Sequence, residues 1–388
     1  MFLKLILIIF LFLSTHVVAQ ESNVKLGSST KIDGDYTMID PTFIDGHYQK
    51  IKQGNTFYLT EFYGEVYKLA QDVSQLDSSI TALDISGKKI KDIPAIVFKN
   101  KQLRILIVRD NDLSVFPDSI VNLPNLRYLD LSFNSLWQLP KSIGQLRKLK
   151  NLVLNNTMLS SLPSEIRFLE NLQELNLYGN QLTSLPNAIV ELKNLSRLNL
   201  GLNQLQFLPD SIGKMENLFQ LLFTSNELVT LPSSIKHLNG LFELQLENNK
   251  LTKLPNEIEA LQFLQILNIT TNKLQQFPNS IGKLSNLRVL HLGANHISLV
   301  PDEVGNLKML YELGLSDNDI NSLPYAIGNL KGLGRLYLNS NKLKTLPNSI
   351  SNLKELEELY LHENLISSES QKQIKVLLPQ CRRIYFSL

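Results

Sequence analysis

Apolar and polar positions follow one another along this chain in a pattern that returns at every twenty-third position from Ile80 onward, without insertion or deletion. A fixed repeat of this length is typical of stacked units that are each too small to bury their own apolar face. The fourth position of every repeat is a leucine: Leu83, Leu106, Leu129, Leu152, Leu175, Leu198, Leu221, Leu244, Leu267, Leu290, Leu313, Leu336 and Leu359. The pattern therefore predicts one continuous array rather than several separate domains.

Two further columns keep the same register. Proline returns at Pro94, Pro117, Pro140, Pro163, Pro186, Pro209, Pro232, Pro255, Pro278, Pro301, Pro324 and Pro347. Asparagine returns at Asn111, Asn134, Asn180, Asn203, Asn226, Asn249, Asn272, Asn295, Asn318, Asn341 and Asn364, and Lys88 and Thr157 take its place in the two remaining repeats. Because an asparagine amide both donates and accepts hydrogen bonds, we expect the stacked asparagines to form a ladder that pairs the backbone groups of the turns.

The repeat from Leu172 to Asn194 shows how the columns predict local structure. Apolar and polar residues alternate around Leu175 and Leu177, which predicts a short strand with one face toward the core. Pro186 fixes φ where the returning limb begins, so a short helix or 3-10 segment is expected there. Stacked copies would place parallel strands on the inner curve of a solenoid and the helical turns on its outer curve.

The phrasing LPxxIxxLxNLxxLxLxxNxL of these repeats resembles the leucine-rich-repeat family over residues 80–366. It is most similar to the 23-residue type of bacterial secreted or surface proteins and of Ras-binding scaffolds. The resemblance implies an α/β solenoid shaped as a curved horseshoe, with the strands on the concave face and short helices or 3-10 turns on the convex face. Family members are binding scaffolds whose partners differ on a common frame, so the resemblance implies protein binding without naming the partner.

An open array of about 13 repeats exposes apolar groups at both ends and needs caps. Residues 20–79 are expected to form the N-terminal extension and cap. Their predicted parts are a polar leader, a hairpin around Gly54-Asn55, and a cap helix through Val66, Leu69, Val73 and Leu76.

Residues 367–388 are expected to form the C-terminal cap. Ser368 with Gln371 has the spacing of a capping box at the start of a helix. This helix is expected to end before Pro379. A last strand then repeats the leucine spacing with Cys381, Ile384 and Phe386 and brings the expected parallel strands to fourteen. Cys381 would stand in a leucine position as a small buried apolar residue rather than as a reactive thiol.

The charge balance argues against a nucleic-acid partner. The chain has 38 basic and 36 acidic residues and a net charge of +2, so it has no overall field that would attract phosphates. Its single cysteine excludes an internal disulfide, and stability must come from packing.

The segment 1–19 has the features of a signal peptide: Lys4, an apolar run from Leu5 to Leu13, and small residues before a cleavage site after Ala19. The alternative is an uncleaved membrane anchor, for which the run is short against the roughly 20 apolar residues of a spanning helix. We therefore expect a secreted, periplasmic or cell-surface protein without an integral membrane segment after cleavage.

Strand residues that face the solvent vary from repeat to repeat, as a recognition surface on a constant frame would. One predicted patch is apolar and aromatic, and a second combines tyrosine, arginine and histidine, the usual anchors of protein interfaces. The candidate partner-binding residues are Ile105, Ile107, Tyr128, Phe133, Val153, Asn176, Tyr178, Asn199, Leu202, Phe219, Leu222, Gln245, Asn268, His291, Arg335, Tyr337, Tyr360 and His362.

Catalytic and metal sites are not predicted. The sequence contains no HExxH, GxSxG, P-loop or GxGxxG motif. His291 and His296 are separated by the end of a strand and its turn, so their side chains should diverge instead of sharing a metal. No cofactor is implied.

The sequence thus favours a non-enzymatic scaffold, exported from the cytoplasm, that recognises a protein through the concave sheet. One alternative is a structural or adhesive surface component that self-associates through the apolar patch. Another, if the N-terminal segment stays as an anchor, is a signalling scaffold similar to Ras-binding proteins. The oligomeric state is not predicted.

Overall fold

The computed structural model describes residues 37–38, 48–53, 56–61 and 66–387. Each repeat contributes one short strand, centred on the leucine of the fourth position. The strands of the array are β5 (Ala82–Asp84), β6 (Ile105–Ile107), β7 (Tyr128–Asp130), β8 (Asn151–Val153), β9 (Glu174–Asn176), β10 (Arg197–Asn199), β11 (Gln220–Leu222), β12 (Glu243–Gln245), β13 (Ile266–Asn268), β14 (Val289–His291), β15 (Glu312–Gly314), β16 (Arg335–Tyr337) and β17 (Glu358–Tyr360).

Neighbouring strands pair in parallel with the register that the repeat dictates. Leu198, for example, pairs with Leu175 on one side and with Leu221 on the other, each one full repeat away. Among the described residues the parallel part of the sheet has fifteen strands, from β4 (Val66–Ala70) to β18 (Arg383–Tyr385). The sequence predicted fourteen parallel strands, because β4 was not predicted as a strand.

The predicted asparagine ladder is confirmed. In each asparagine rung, Nδ2 donates to the backbone oxygen 26 residues earlier at 2.8 to 3.0 Å and to the oxygen three residues earlier, while Oδ1 accepts from the backbone nitrogen 21 residues earlier at 2.9 to 3.1 Å. Asn180, for instance, joins Leu154, Leu159 and Leu177. Each buried amide therefore satisfies backbone groups of two repeats at once.

The returning limbs are 3-10 turns rather than α-helices. Pro186 lies directly before one of them with φ −65°, and the Leu192 amide closes the turn on the Ile189 carbonyl. The turns of the array are Val97–Lys99, Asp118–Asn122, Lys141–Gln145, Ser164–Phe168, Asn187–Glu191, Ile212–Lys214, Ser233–His237, Asn256–Ala260, Asn279–Lys283, Asp302–Asn306, Tyr325–Asn329 and Asn348–Asn352. Their inner faces and the strand leucines form one continuous apolar core along the whole array.

The N-terminal end begins with antiparallel strands: β1 (Thr37–Met38), β2 (Tyr48–Gln53) and β3 (Thr56–Glu61). β2 pairs with β3 as the predicted hairpin, and β3 then pairs with β4. The predicted cap helix is wrong, since Val66–Ala70 is the strand β4 and a 3-10 turn follows at Val73–Gln75. A short apolar run is compatible with either periodicity. The strand conformation prevails here because it also pairs the open edge of β5.

The C-terminal cap is the helix α1 (Ser368–Leu377), followed by the predicted last strand β18. The capping serine lies one position earlier than predicted, because Ser367 is the N-cap and its hydroxyl accepts from the Ser370 amide. Cys381 is partly buried against the core in the predicted leucine position.

No helix among the described residues has the length and apolarity needed to cross a membrane. The predicted signal peptide at residues 1–19 lies outside the described residues.

Candidate partner-binding surface

The concave sheet displays the third, fifth and seventh residues of each repeat, because these alternate with the core leucines along the strand. In the fifth repeat they are Glu174, Asn176 and Tyr178, which flank the buried Leu175 and Leu177. Side chains from neighbouring repeats stand side by side at the spacing of adjacent strands, about 4.8 Å. A contact surface on this face therefore consists of residues that occupy the same position in successive repeats.

The exposure expected for the first apolar patch is wrong at four positions. The buried residues are Ile105, Ile107, Tyr128 and Val153, none more than 2% exposed. They form a second apolar cluster on the concave side together with Tyr67, Leu69 and Ala82. Strands β5 to β8 carry apolar residues on both faces, so side chains in register pack against one another. The strand β4, predicted as a helix, adds Tyr67 and Leu69 to the cluster.

The other candidate residues are accessible to different degrees. Three are exposed, namely Phe133, Tyr178 and Leu202. Those of intermediate exposure are Asn176, Asn199, Phe219, Leu222, Gln245, Asn268, His291, Arg335, Tyr337, Tyr360 and His362. The structure separates the two predicted patches and does not unite them in one site.

Three tyrosines stack at the C-terminal end of the concave face. The ring centroids of Tyr337 and Tyr360 are 4.7 Å apart, and those of Tyr360 and Tyr385 are 4.5 Å apart, with nearly parallel planes. His291 meets Tyr337 edge to face at 6.5 Å. We call Tyr337, Tyr360 and Tyr385 the tyrosine row. Sequence reasoning missed Tyr385, although it follows Ile384 as Tyr360 follows Leu359, which is the signal that would have found it.

A chain of alternating charges runs beside the tyrosine row on the paired strands β15 to β18, and consists of Glu312, Arg335, Glu358 and Arg383. Glu312 lies 2.9 Å from His291 Nε2 and 3.3 Å from Arg335, and Glu358 lies 2.7 Å from Arg383 and 3.6 Å from Arg335. The hydrogen bond from His291, and then the charges of His291 and Arg335, lower the pKa of Glu312. The Glu312 carboxylate is thus held ionised by its neighbours.

Tyr337 and Tyr360 stay protonated over a wide pH range. Burial raises the pKa of Tyr337 to about 12, and the Glu312 charge adds to this effect. Burial, followed by the Glu358 charge, likewise raises the pKa of Tyr360 to about 12. The row therefore offers neutral phenol edges and hydroxyls between paired charges, the mixture of apolar and polar groups that interface anchors provide.

The middle of the concave face is also internally paired. Arg197 forms an ion pair with Glu174, whose carboxylate also accepts from the Asn151 amide at 3.1 Å. Further along, at the second position of two adjacent repeats and just before their strands, Phe219 stacks on Phe242 with ring centroids 4.8 Å apart. These contacts fix the side chains of the face in place before any partner arrives.

A second surface lies outside the middle of the strands. It follows the edge where the chain leaves each strand, through the turn at the seventh and eighth positions and the loop at positions ten to thirteen. Its exposed apolar residues, each 36% to 57% accessible, are Val115, Phe133, Trp137, Met158, Tyr178, Leu202, Phe207 and Val229. We call these eight residues the edge strip. Five of them were not candidates from the sequence, because the loop positions are polar in most repeats.

Among the described residues, no group of three or more histidines, cysteines, aspartates or glutamates is placed to hold a metal ion. His291 is engaged with Glu312 instead of facing His296.

Stacked strand, turn and 3-10 units with an asparagine ladder and an open concave sheet define a leucine-rich-repeat solenoid. The chain belongs to the leucine-rich-repeat family: the family model described as a leucine-rich repeat region matches residues 140–244, 229–313 and 279–380, and a leucine rich repeat model matches residues 78–136. A comparison with curated protein sequences gives no significant match.

Solved structures show the same fold. A leucine-rich-repeat protein of Leptospira interrogans is 34% identical, with 82% of this chain and 100% of that chain covered and a TM-score of 0.60. An internalin of Listeria monocytogenes is 24% identical, with 80% and 88% covered and a TM-score of 0.70. A plant peptide hormone receptor in complex with RGF2 is 26% identical, with 78% and 58% covered and a TM-score of 0.62. The chain thus spans little more than half of that receptor.

Proposed function

We propose that the protein is an exported, non-enzymatic binding module that recognises a protein or peptide through the C-terminal half of its concave face. The tyrosine row is the observation that carries this proposal. It places three aligned rings, a histidine and paired charges on a rigid sheet, which is the composition of interface hot spots. A side-chain arrangement fixed in advance also lowers the entropic cost of binding.

The comparisons support the class of function. The structure of the plant receptor with RGF2 shows a related array holding a ligand, at 26% identity. Family frames of this kind carry different partners on the same backbone, so the partner of this chain follows from its own surface residues. The predicted signal peptide supports export, and sequencing the N-terminus of the mature protein should then give Gln20 as the first residue.

The test of the binding site uses a partner isolated by cross-linking to the purified protein and then purified itself. Tyr337→Ala and Tyr360→Ala should each weaken binding measured by calorimetry by about tenfold or more, because truncating a hot-spot residue costs about 2 kcal/mol. Tyr325→Ala is the matched control, since Tyr325 is 73% exposed on the 3-10 turn Tyr325–Asn329 and outside the concave face. Equal affinity of all three variants would contradict the proposal.

A further inference from the structure

The edge strip has the properties of an interface rather than of ordinary surface decoration. The same loop positions can be compared between repeats, because the backbone bonds that stack the loops continue along the array: the Met158 amide donates to the Leu136 carbonyl, and the Lys273 amide donates to the Leu251 carbonyl, both at 2.9 Å. The loops of the two halves therefore share this stacking bond, and their side chains can be compared position by position.

The side chains at positions ten, twelve and thirteen change sharply along the edge. In repeats two to seven, the charged residues at these positions are Asp112 and Glu227, and none is basic. In repeats eight to twelve the same positions carry five lysines, one acid and one exposed apolar residue, and repeat one carries two more lysines: Lys250, Lys253, Lys273, Lys342, Lys344, Asp319, Leu299, Lys89 and Lys91. Since the fold accepts lysine at these positions, the apolar residues of the first half are not required by the repeat. Eight exposed apolar side chains side by side instead indicate a contact surface.

The order of residues within the strip reads nearly the same from either end. Valine lies at both ends, as Val115 in repeat two and Val229 in repeat seven. Inside them come two bulky pairs: Phe133 and Trp137 in repeat three, and Leu202 and Phe207 in repeat six. Phe133 and Leu202 occupy the same turn position, and Trp137 and Phe207 lie in the following loops. The strip thus has an approximate mirror order about the boundary between repeats four and five.

We propose that the edge strip binds a second copy of this chain, with the two arrays antiparallel and a two-fold axis between repeats four and five. Such an axis brings repeat two onto repeat seven, repeat three onto repeat six and repeat four onto repeat five. Phe133 then meets Leu202 of the second copy, Trp137 meets its Phe207, and Val115 meets its Val229. A self-complementary surface of this kind is what a two-fold homodimer requires.

The charges at the two ends of the strip weaken this arrangement. The axis also places repeat eight opposite repeat one, so that Lys250 and Lys253 face Lys89 and Lys91 of the second copy, and the Lys89 charge is offset by Asp110 at 3.6 Å. Asp112 likewise faces Glu227 of the second copy, and the Glu227 charge is offset by Lys250 at 3.2 Å. Eight apolar side chains are few beside the roughly 20 to 30 residues per partner of a standard interface, so the dimer should be weak, with a dissociation constant on the order of tens of micromolar.

Sedimentation velocity over a concentration series tests the proposal. The purified protein should pass from monomer to dimer, and Phe207→Lys should weaken the association about tenfold or more, because it buries a charge twice in each dimer. Leu299→Lys is the matched control: Leu299 also occupies position thirteen of its repeat and is 65% exposed, but lies outside the strip. A monomer throughout, or a dimer that Phe207→Lys leaves unchanged, would overturn the proposal.

Disulfide cross-linking tests the axis itself, in a Cys381→Ser background. Trp137→Cys mixed with Phe207→Cys should give linked dimers, whereas either variant alone should not, because the axis separates identical positions by about three strand spacings, roughly 14 Å. Equal cross-linking of the single variants would exclude this axis. Both experiments use residues away from the tyrosine row, so their outcome is independent of partner binding on the concave face.

Discussion

At the scale of single residues, Thr157 shows what the asparagine column contributes, because a threonine hydroxyl cannot make all the hydrogen bonds of an asparagine amide. Its hydroxyl donates to the Leu154 carbonyl at 3.2 Å and contacts Asn180 Oδ1, and one hydrogen cannot serve both acceptors fully. An asparagine in this position would accept from the Leu136 amide, as Asn180 accepts from Leu159. Within the described part of the chain the Leu136 amide has no such acceptor. The rung at Thr157 is therefore the weaker one.

Thr157→Asn should stabilise the protein, because the new amide pairs the Leu136 nitrogen and completes the ladder. A net gain of about 1 kcal/mol is expected for one buried hydrogen bond, which in an array of this length corresponds to a rise of roughly one to two degrees in the melting temperature. Thermal unfolding followed by circular dichroism measures it. Asn180→Thr is the reciprocal variant and should lower the melting temperature by a similar amount. An unchanged melting temperature in both variants would contradict the role assigned to the ladder.

Residue types alone were enough to predict the ladder, the core leucines and the position of Cys381, since each depends on one column of the repeat. The same reasoning failed for Ile107 and Val153. Their strand positions face the concave side, and periodicity predicts the face of a side chain but not whether other groups cover that face. Burial raises the pKa of the Cys381 thiol, in keeping with the apolar role expected of it.

At the scale of elements, the strands and 3-10 turns were predictable because every repeat has the same sequence pattern. The caps occur only once, so their sequence pattern is a weaker signal. Val66, Leu69 and Val73 fit a helical spacing, and only the edge of β5 that needed a partner decides for a strand. The tyrosine row is likewise an effect of stacking: Tyr360 follows Tyr337 by one repeat, but Tyr385 comes two positions later than the next repeat would place it. Only the register of β18 brings the third ring into line.

The tyrosine row should make stability depend on alkaline pH. Unfolded tyrosines ionise near pH 10, whereas the raised pKa values of Tyr337 and Tyr360 keep the folded phenols protonated to about pH 12. The neutral form is thus favoured by folding, so its stabilising effect is complete below pH 10 and is lost as the pH rises from 10 to 12. The melting temperature should fall across this window. The double variant Tyr337→Phe with Tyr360→Phe should show a smaller fall, and an identical pH profile would count against the burial of these hydroxyls.

At the scale of the whole molecule, the two candidate surfaces lie in different halves of the array and face different directions. The edge strip occupies repeats two to seven, and the tyrosine row begins in repeat twelve. Sequence reasoning placed all binding on the concave strands and assigned self-association to the first apolar patch, of which the structure buries Ile105, Ile107, Tyr128 and Val153. The exposed loop residues Trp137 and Phe207 were missed because loop positions are polar in most repeats, so that only a comparison of the halves reveals them.

The array itself should tolerate the loss of one complete repeat. Each repeat contacts its neighbours through strand pairing, the ladder and the core, so deleting residues 264–286 should join β12 to β14 in the register that β12 and β13 now share. This repeat carries no residue of the edge strip or of the tyrosine row. The shortened protein should keep its circular dichroism per residue and a cooperative transition at a moderately lower temperature.

A deletion of residues 264–274 is the contrasting variant. It removes half a repeat, so that the core leucines after the deletion align with solvent-facing positions of the preceding repeat. This second variant should unfold or aggregate, although it loses fewer residues. If both deletions were equally disruptive, stability would depend on contacts beyond adjacent repeats. The nearest-neighbour stacking on which both proposed surfaces rely would then be wrong, since each surface is defined by the columns that such stacking brings together.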